Sequence, residues 1–317
     1  MSSKAPRPAA HGRGRRRRIP GRSSGTKRER ARSKRRARWG WWVLAVASLL
    51  VLSALGAAAA FRGLEFSRAN DRRKVAIPEG WTSFQIARRL AEQQICPEGA
   101  FVAASRDPEL LAEFGIAGPS VEGYLFPATY ELQPASDPDE VVRLLVREGR
   151  RRIRAIFDQH AGGFRRLNDE LGWGEGEVLA LASIVEKEAI ADDERPLIAR
   201  VYLNRLTDPD FRPAKRLQAD PTAGYGCVVA PGAAPSCRKY DGRITPAMLR
   251  DSKNAYNTYR HPGLPPGPIA NPGVASITAV LEPADSDALY FVATGAGRHV
   301  FSRTYSEHRA AIRRLHD

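Results

Sequence analysis

Hydrophobic positions along this chain recur mostly at helical spacing, and one stretch departs by being apolar almost throughout: Val178-Leu179-Ala180-Leu181-Ala182-Ser183-Ile184-Val185, followed by Glu186-Lys187-Glu188. A helix from about Glu175 to Ile190 sets Glu186 over Leu179, Ala182, Ala189 and Ile190. It sets Glu188 over Leu181, Ile184 and Val185, on a face about 200° away. Desolvation on either face disfavours a carboxylate and raises its pKa toward that of a usable proton donor. Periodicity leaves the choice between the two open, beside the commoner outcome of a solvated or ion-paired glutamate with Lys187 as neighbour. It does exclude joint action, because residues i and i+2 on a helix do not face each other.

The remaining pattern predicts an α+β chain. Lys74 to Ile77 reads as a strand, Pro78-Glu79-Gly80 as a turn, and Thr82-Ser83-Phe84-Gln85 as a capping box. That box opens a helix with Phe84, Ala87, Leu90 and Ala91 inward, and helical pieces follow at Pro97 to Ala104 and Pro108 to Phe114. This small β/α unit resembles LysM-like modules. A charged helical stretch from about Pro138 to Asn168 carries Val141, Leu144, Leu145, Ile153 and Ile156 as its apolar positions. Asp193 is a candidate cap for a helix with Leu197, Ile198, Val201 and Tyr202 inward. Asp220-Pro221 and Asn271-Pro272 each place proline after an N-cap type. Leu289 to Ala293 and His299 to Ser302 form a hairpin across Gly295 to Gly297, and Thr304 to Glu307 caps a last helix to Leu315. No internal repeat is present.

Charge changes the picture at the N-terminus. The net charge of +15 suggests nucleic-acid binding until it is counted by position: residues 1–38 hold sixteen Lys and Arg against one acid, and the other 279 residues hold 34 of each sign. Trp39 to Phe61 follows as 23 residues without a charge, fitting a membrane span with Trp39, Trp41 and Trp42 as an aromatic belt. The bases then hold the N-terminus in the cytoplasm, put everything after about Arg62 outside, and sit against anionic lipid rather than nucleic acid. A signal peptide cleaved near Ala57 to Ala60 is the competing reading, disfavoured by the length of the apolar run. Of three cysteines, Cys227 and Cys237 flank a Pro/Gly/Ala-rich loop and are a candidate disulfide in an oxidising compartment, leaving Cys96 over. No His or Cys spacing suits zinc, so no metal is expected.

Several separated segments together carry a resemblance: Glu122-Gly123-Tyr124-Leu125-Phe126-Pro127-Ala128-Thr129-Tyr130, Ala182 to Glu188, Val201-Tyr202-Leu203-Asn204-Arg205-Leu206, Leu217-Gln218-Ala219-Asp220-Pro221-Thr222, Tyr256-Asn257-Thr258-Tyr259 and Gly263 to Gly273. In this order, from about residue 73 to the C-terminus, the chain resembles the YceG-like family of endolytic murein transglycosylases. The resemblance implies a single-pass inner-membrane enzyme without cofactor, cutting nascent peptidoglycan strands, with peptidoglycan synthases as partners. It implies a basic tail (1–38), a transmembrane helix (39–61), a linker (62–72), a LysM-like module (73–118) and a mainly helical catalytic domain (119–317) ending in a hairpin and helix. It also assigns the catalytic acid to the first glutamate of the Val-Glu-Lys-Glu run, Glu186. Two departures stand out: a short segment between membrane and module, and Ala128 where the family commonly has aspartate.

The implied chemistry needs one carboxyl group. Glu186 would protonate the oxygen between N-acetylmuramic acid and N-acetylglucosamine, then accept the proton of the muramyl C6 hydroxyl as that hydroxyl closes a 1,6-anhydro ring. Gln218, Asp220, Tyr225, Asn257 and Tyr259 are candidates to bind substrate, and Glu122, Phe126 and Tyr130 to line the sugar cleft. A turn role for Asn257, an N-cap role for Asp220 and core packing for Phe126 compete with those readings. So do a hydrolytic muramidase with Asp220 or Glu188 as second carboxylate and a non-catalytic cell-wall scaffold.

Overall fold

The computed structural model describes residue 42, residues 46–57 and residues 71–316. The basic tail, most of the linker and parts of the apolar run lie outside the described residues. Residues 46–57 are helical, and no helix among the described residues is long and apolar enough to cross a membrane. The chain divides into two units, Met1–Ser67 and Arg68–Asp317.

The second unit is mostly helical, with two small sheets. Strand β1 (Arg73–Ile77) pairs antiparallel with β2 (Ala128–Leu132), in a register that sets Ile77 opposite Ala128 and Arg73 opposite Leu132. Between them run α1 (Ser83–Glu92), α2 (Glu98–Ala104) and α3 (Pro108–Glu113). The strand that completes the first sheet therefore comes from beyond the expected boundary at residue 118, and the Phe-Pro-Ala-Thr-Tyr segment belongs to this sheet. Thr82 and Gln85 cap α1 reciprocally, as the sequence indicates. Its fully buried stripe is Ser83, Ile86, Ala87 and Leu90, with Phe84 and Ala91 only partly covered.

The charged stretch after β2 is two helices. Helix α4 (Pro138–Gln159), capped by Asp137, turns at His160 into α5 (Ala161–Leu171). Val141, Leu145, Ile153 and Ile156 are buried, whereas Leu144 is exposed. Gly149 lets α4 lie directly on the Tyr124 carbonyl, where any Cβ would collide with backbone.

At the centre is α6 (Glu175–Glu188), buried on every side from Val178 to Val185. A helix apolar all round belongs in the middle of a fold, and α7 (Arg195–Thr207), α8 (Asp220–Val229) and α10 (Val274–Leu281) pack on it. Its one buried hydroxyl, Ser183, donates to Ala180 O and accepts from Ile269 N–H. The helix stops at Glu188: Ala189 is extended and Ile190 is 72% exposed, so neither continues the stripe under Glu186. A 3-10 turn (Asp192–Glu194) leads into α7 in place of an Asp193 cap. Asp220 and Asn271 are likewise not caps: α8 starts at Asp220 itself, and Gly273 precedes α10.

Past α8, Cys227 and Cys237 are disulfide-bonded and form a small separate apolar cluster with Ala234 and Met248, next to α9 (Pro246–Arg250), while Cys96 is buried and free. The predicted hairpin is present as β3 (Tyr290–Ala293) and β4 (His299–Ser302). Thr304 and Glu307 then form the expected reciprocal cap of α11 (Tyr305–His316).

Candidate active site

Helix α6 leaves the core at its last turn, and its two glutamates diverge into different environments. The Glu186 side chain, 7% exposed, is tied down at both oxygens. Its Oε2 accepts from Ser276 Oγ at 2.7 Å and from the Gly273 N–H at 3.1 Å, the start of α10. Its Oε1 lies 3.7 Å from the guanidinium of Arg195, itself buried. A backbone N–H and a hydroxyl at the start of a helix and a buried guanidinium hold the Glu186 side chain in place as an anchor. The turn after β1 closes over it: Gly80 rests on the Glu186 side chain, and Lys187 donates to Gly80 O. Glu79 abuts Gly273 there, its carboxyl pushed up by burial and by the charge of Glu186.

Glu188 accepts one hydrogen bond, from Tyr202 Oη to Oε1 at 2.9 Å. Burial pushes its carboxyl up to about 7, and the nearby charge of Asp220 adds to the rise, against the Tyr202 hydroxyl, Arg205 and His299. It is also the last residue of α6, where the helix dipole disfavours an anion. A carboxyl group that half-protonates near neutrality is what general acid catalysis needs.

The neighbours of Glu188 are assembled by two of the sequence motifs. Thr258 Oγ1 accepts from Ala219 N–H and hydrogen-bonds with Thr222 Oγ1, and Thr258 O accepts from Gln218 N–H. These bonds hold Gln218 at φ 56, a left-handed conformation costly for a residue with a Cβ. Two residues on, Asp220 Oδ1 accepts from Tyr259 Oη at 2.6 Å. Arg205 is buried, donating through Nε to Leu289 O and through Nη1 to Leu217 O, with the rings of Tyr202, Phe211, Tyr290 and Phe291 around it. Asp220 and Tyr259 are thus gathered near one acid, Glu188, with Gln218 two residues before Asp220 in the chain.

The other predicted site residues are elsewhere. Glu122 is fully buried and accepts from Ser83 N–H and Oγ, Tyr225 Oη and Asn271 Nδ2; burial raises its carboxyl against those donors. Asn271 also accepts from Gly123 and Leu125 N–H and donates to Trp81 O. Glu122 and Tyr225 therefore form a buried clamp between the β1–α1 turn and the rest of the unit, with no open face toward substrate. Asn257 builds a turn, donating to the carbonyls of Met248, Leu249 and Asp251. Phe126 is buried core. Tyr130 is mostly buried too, donating to Phe126 O, though its edge lines a 940 Å³ groove with Thr129, Glu131, Arg147 and Arg151. Neither α6 glutamate lines that groove. Arg195 and Glu79 carried no functional signal in the sequence, the first at an ordinary helical position and the second in a turn motif, and Arg205 entered only as part of the Val201 to Leu206 segment.

The YceG-like family model matches residues 51–314. The chain belongs to the YceG-like family. It is 29% identical over 252 residues to the endolytic murein transglycosylase of Bacillus subtilis strain 168, a match covering 75% of this chain and 64% of that protein. It is 26% identical over 257 residues to the endolytic murein transglycosylase of Streptococcus pneumoniae strain D39, covering 74% and 43%. The chain thus spans less than two thirds of the length of either relative. The crystal structure of a YceG-like protein from Listeria monocytogenes superposes with a TM-score of 0.61 at 32% identity, over 75% of each chain.

Among the described residues no cluster of His, Cys, Asp or Glu could hold a metal ion. The Glu188 carboxyl, with Asp220 and Tyr259 near it, is able to transfer a proton.

Proposed function

We propose that this chain is an endolytic peptidoglycan lytic transglycosylase that cleaves the β-1,4 bond between N-acetylmuramic acid and N-acetylglucosamine and terminates nascent glycan strands. The reading is supported by relatives named as endolytic murein transglycosylases. The observation that carries it is the buried Glu188 carboxyl, pushed up to about 7, with Asp220 and Tyr259 near it.

Glu188 is the acid, and Glu186, assigned by resemblance, is the anchor beside it. Neutral Glu188 protonates the glycosidic oxygen as the bond to C1 breaks. The resulting carboxylate takes the proton of the muramyl C6 hydroxyl as that oxygen bonds to C1, giving the 1,6-anhydro end and returning Glu188 to its acid form. Tyr202 holds one carboxyl oxygen, leaving the other to carry the proton. Asp220, on the same side, supplies negative charge toward the oxocarbenium-like centre, and the side chain of Gln218 is free to meet an N-acetyl group.

Residues 39–61 anchor the chain in the inner membrane, with the basic tail on anionic lipid in the cytoplasm, the LysM-like and catalytic parts outside, and peptidoglycan synthases as partners. The hydrophobic residues exposed on the helix at 46–57, among them Leu49, Leu52 and Leu55, support that anchor.

Mass spectrometry of sacculi digested by the detergent-solubilised chain tests the reading: anhydromuramyl ends are expected. Reducing ends alone would establish a hydrolase instead, a reading favoured by one observation, the second carboxylate of Asp220 close enough to act on Glu188. Glycan retained without cleavage would make the chain a scaffold.

A further inference from the structure

A 620 Å³ pocket opens between the loop after α7, the start of β3 and the start of α11, within the size range of small-ligand sites, about 300–1,000 Å³. Its walls include Phe211, Tyr290 and Tyr305, its polar groups Gln218, Asp208 and Arg303. The aromatic wall is built: Tyr290 lies 5.9 Å from Phe211 and 5.8 Å from Tyr305 between ring centroids, and His308 stacks on it from behind at 5.3 Å. Arg303 Nη1 donates to Asp208 Oδ2 and to Asp287 O, fixing the polar edge. Tyr305 is 60% exposed, large for an aromatic side chain that the fold does not need to bury.

Two links connect the pocket to the proposed acid. Gln218, which lines it, is two residues from Asp220 and held in its unusual backbone conformation by Thr258. The guanidinium of Arg205 lies over Tyr290 and Phe211 on one side and Tyr202, the partner of Glu188, on the other.

We infer that this pocket, lined by Gln218 though not by Glu188, is a sugar-binding subsite in which Tyr305 stacks on a pyranose ring of the glycan backbone outside the bond that is cut. Pyranose rings present flat C–H faces to aromatic rings and hydroxyls to carboxylate and guanidinium edges, and the pocket offers both. This inference rests on the lytic reading above.

The test uses the full-length Glu188→Gln protein, which binds without cutting, and purified glycan strands stripped of their stem peptides. Tyr305→Ala in that background is expected to raise the dissociation constant about fivefold or more, and Tyr305→Phe to leave it within twofold. Equal affinity for Tyr305→Ala and its parent overturns the subsite, as does a loss in Tyr305→Phe as large as in Tyr305→Ala. Failure of the parent to bind stripped strands overturns it as well. In that case, anhydromuramyl ends released by the Glu188-containing chain would leave the lytic reading standing, and their absence would remove both.

Discussion

Two carboxyl groups two residues apart leave α6 in opposite directions and meet opposite electrostatics. On the Glu186 side Arg195, the Gly273 N–H ahead of α10 and the Ser276 hydroxyl face the carboxyl group, with the carboxyl of Glu79 nearby. On the Glu188 side burial and Asp220 oppose charge, and Tyr202, Arg205 and His299 only partly offset them. The same residue type is thus an anchor on one face and an acid on the other. The difference lies in which elements the helix end meets.

A pair of isosteric substitutions separates the two faces most sharply. Glu188→Gln should lower release of anhydromuramyl ends at least about a hundredfold, the scale of a lost general acid. Glu186→Gln should retain cutting in whatever fraction stays folded. The reverse outcome, read by mass spectrometry of digested sacculi, would return the acid to Glu186.

Stability should divide the other way. Glu186→Ala leaves Arg195 buried with Asp192, 84% exposed, as its remaining close ion pair at 3.2 Å and Glu79 farther off. Arg195 Nε and Nη1 already lack partners, so the loss should be about 3 kcal/mol, measured by denaturant unfolding at pH 7. A stability equal to that of the parent would show that the anchor is not one.

Much of the fold was legible because it follows from local chemistry. The capping boxes at Thr82 and Thr304, the hairpin and the helix at Glu175 each need only neighbours in sequence. The pairing of β1 with β2 was not legible, since 50 residues lie between the strands and nothing in Ala128 to Leu132 announces its partner. Of the candidate site, the motifs marked Asp220 and Tyr259, which the fold joins by a hydrogen bond on the side of Glu188, without marking which glutamate they would face. The choice between Glu186 and Glu188 depends on where Ser276, Arg195 and Tyr202 arrive from other helices, which helical periodicity does not encode. Glu122 and Tyr225 misled for a related reason: polar residues in a motif look like ligands of substrate until a buried partner such as Asn271 is seen.

The titration of Glu188 couples its protonation to folding. Folded, it keeps its proton up to about 7; unfolded, it loses it near its ordinary 4.5. The folded state therefore binds more protons between those values, so stability is fully present below 4.5 and falls as pH rises through 7. The cost above pH 7 is on the order of 3 kcal/mol. Glu188→Gln should remove it, making the inactive variant more stable than the parent at pH 8 and no more stable at pH 4.5, in thermal scans at both values. Lytic activity, which needs the protonated form, should fall across the same alkaline limb.

The smallest effect is the most selective. Tyr202 donates to the Glu188 carboxylate and so favours its charged form; Tyr202→Phe removes that donor and should move the alkaline limb of the pH–rate profile upward by less than about one unit. Ser276→Ala removes the corresponding donor from Glu186 and should leave the limb where it is. Both substitutions delete one hydroxyl, so losses of stability should be similar, about 1 kcal/mol each, and do not confuse the reading. A limb that follows Ser276 and ignores Tyr202 would mean that the titrating group is on the Arg195 side. A limb that follows Tyr202 alone ties the observed proton to the face of α6 that carries Asp220, Gln218 and Tyr259.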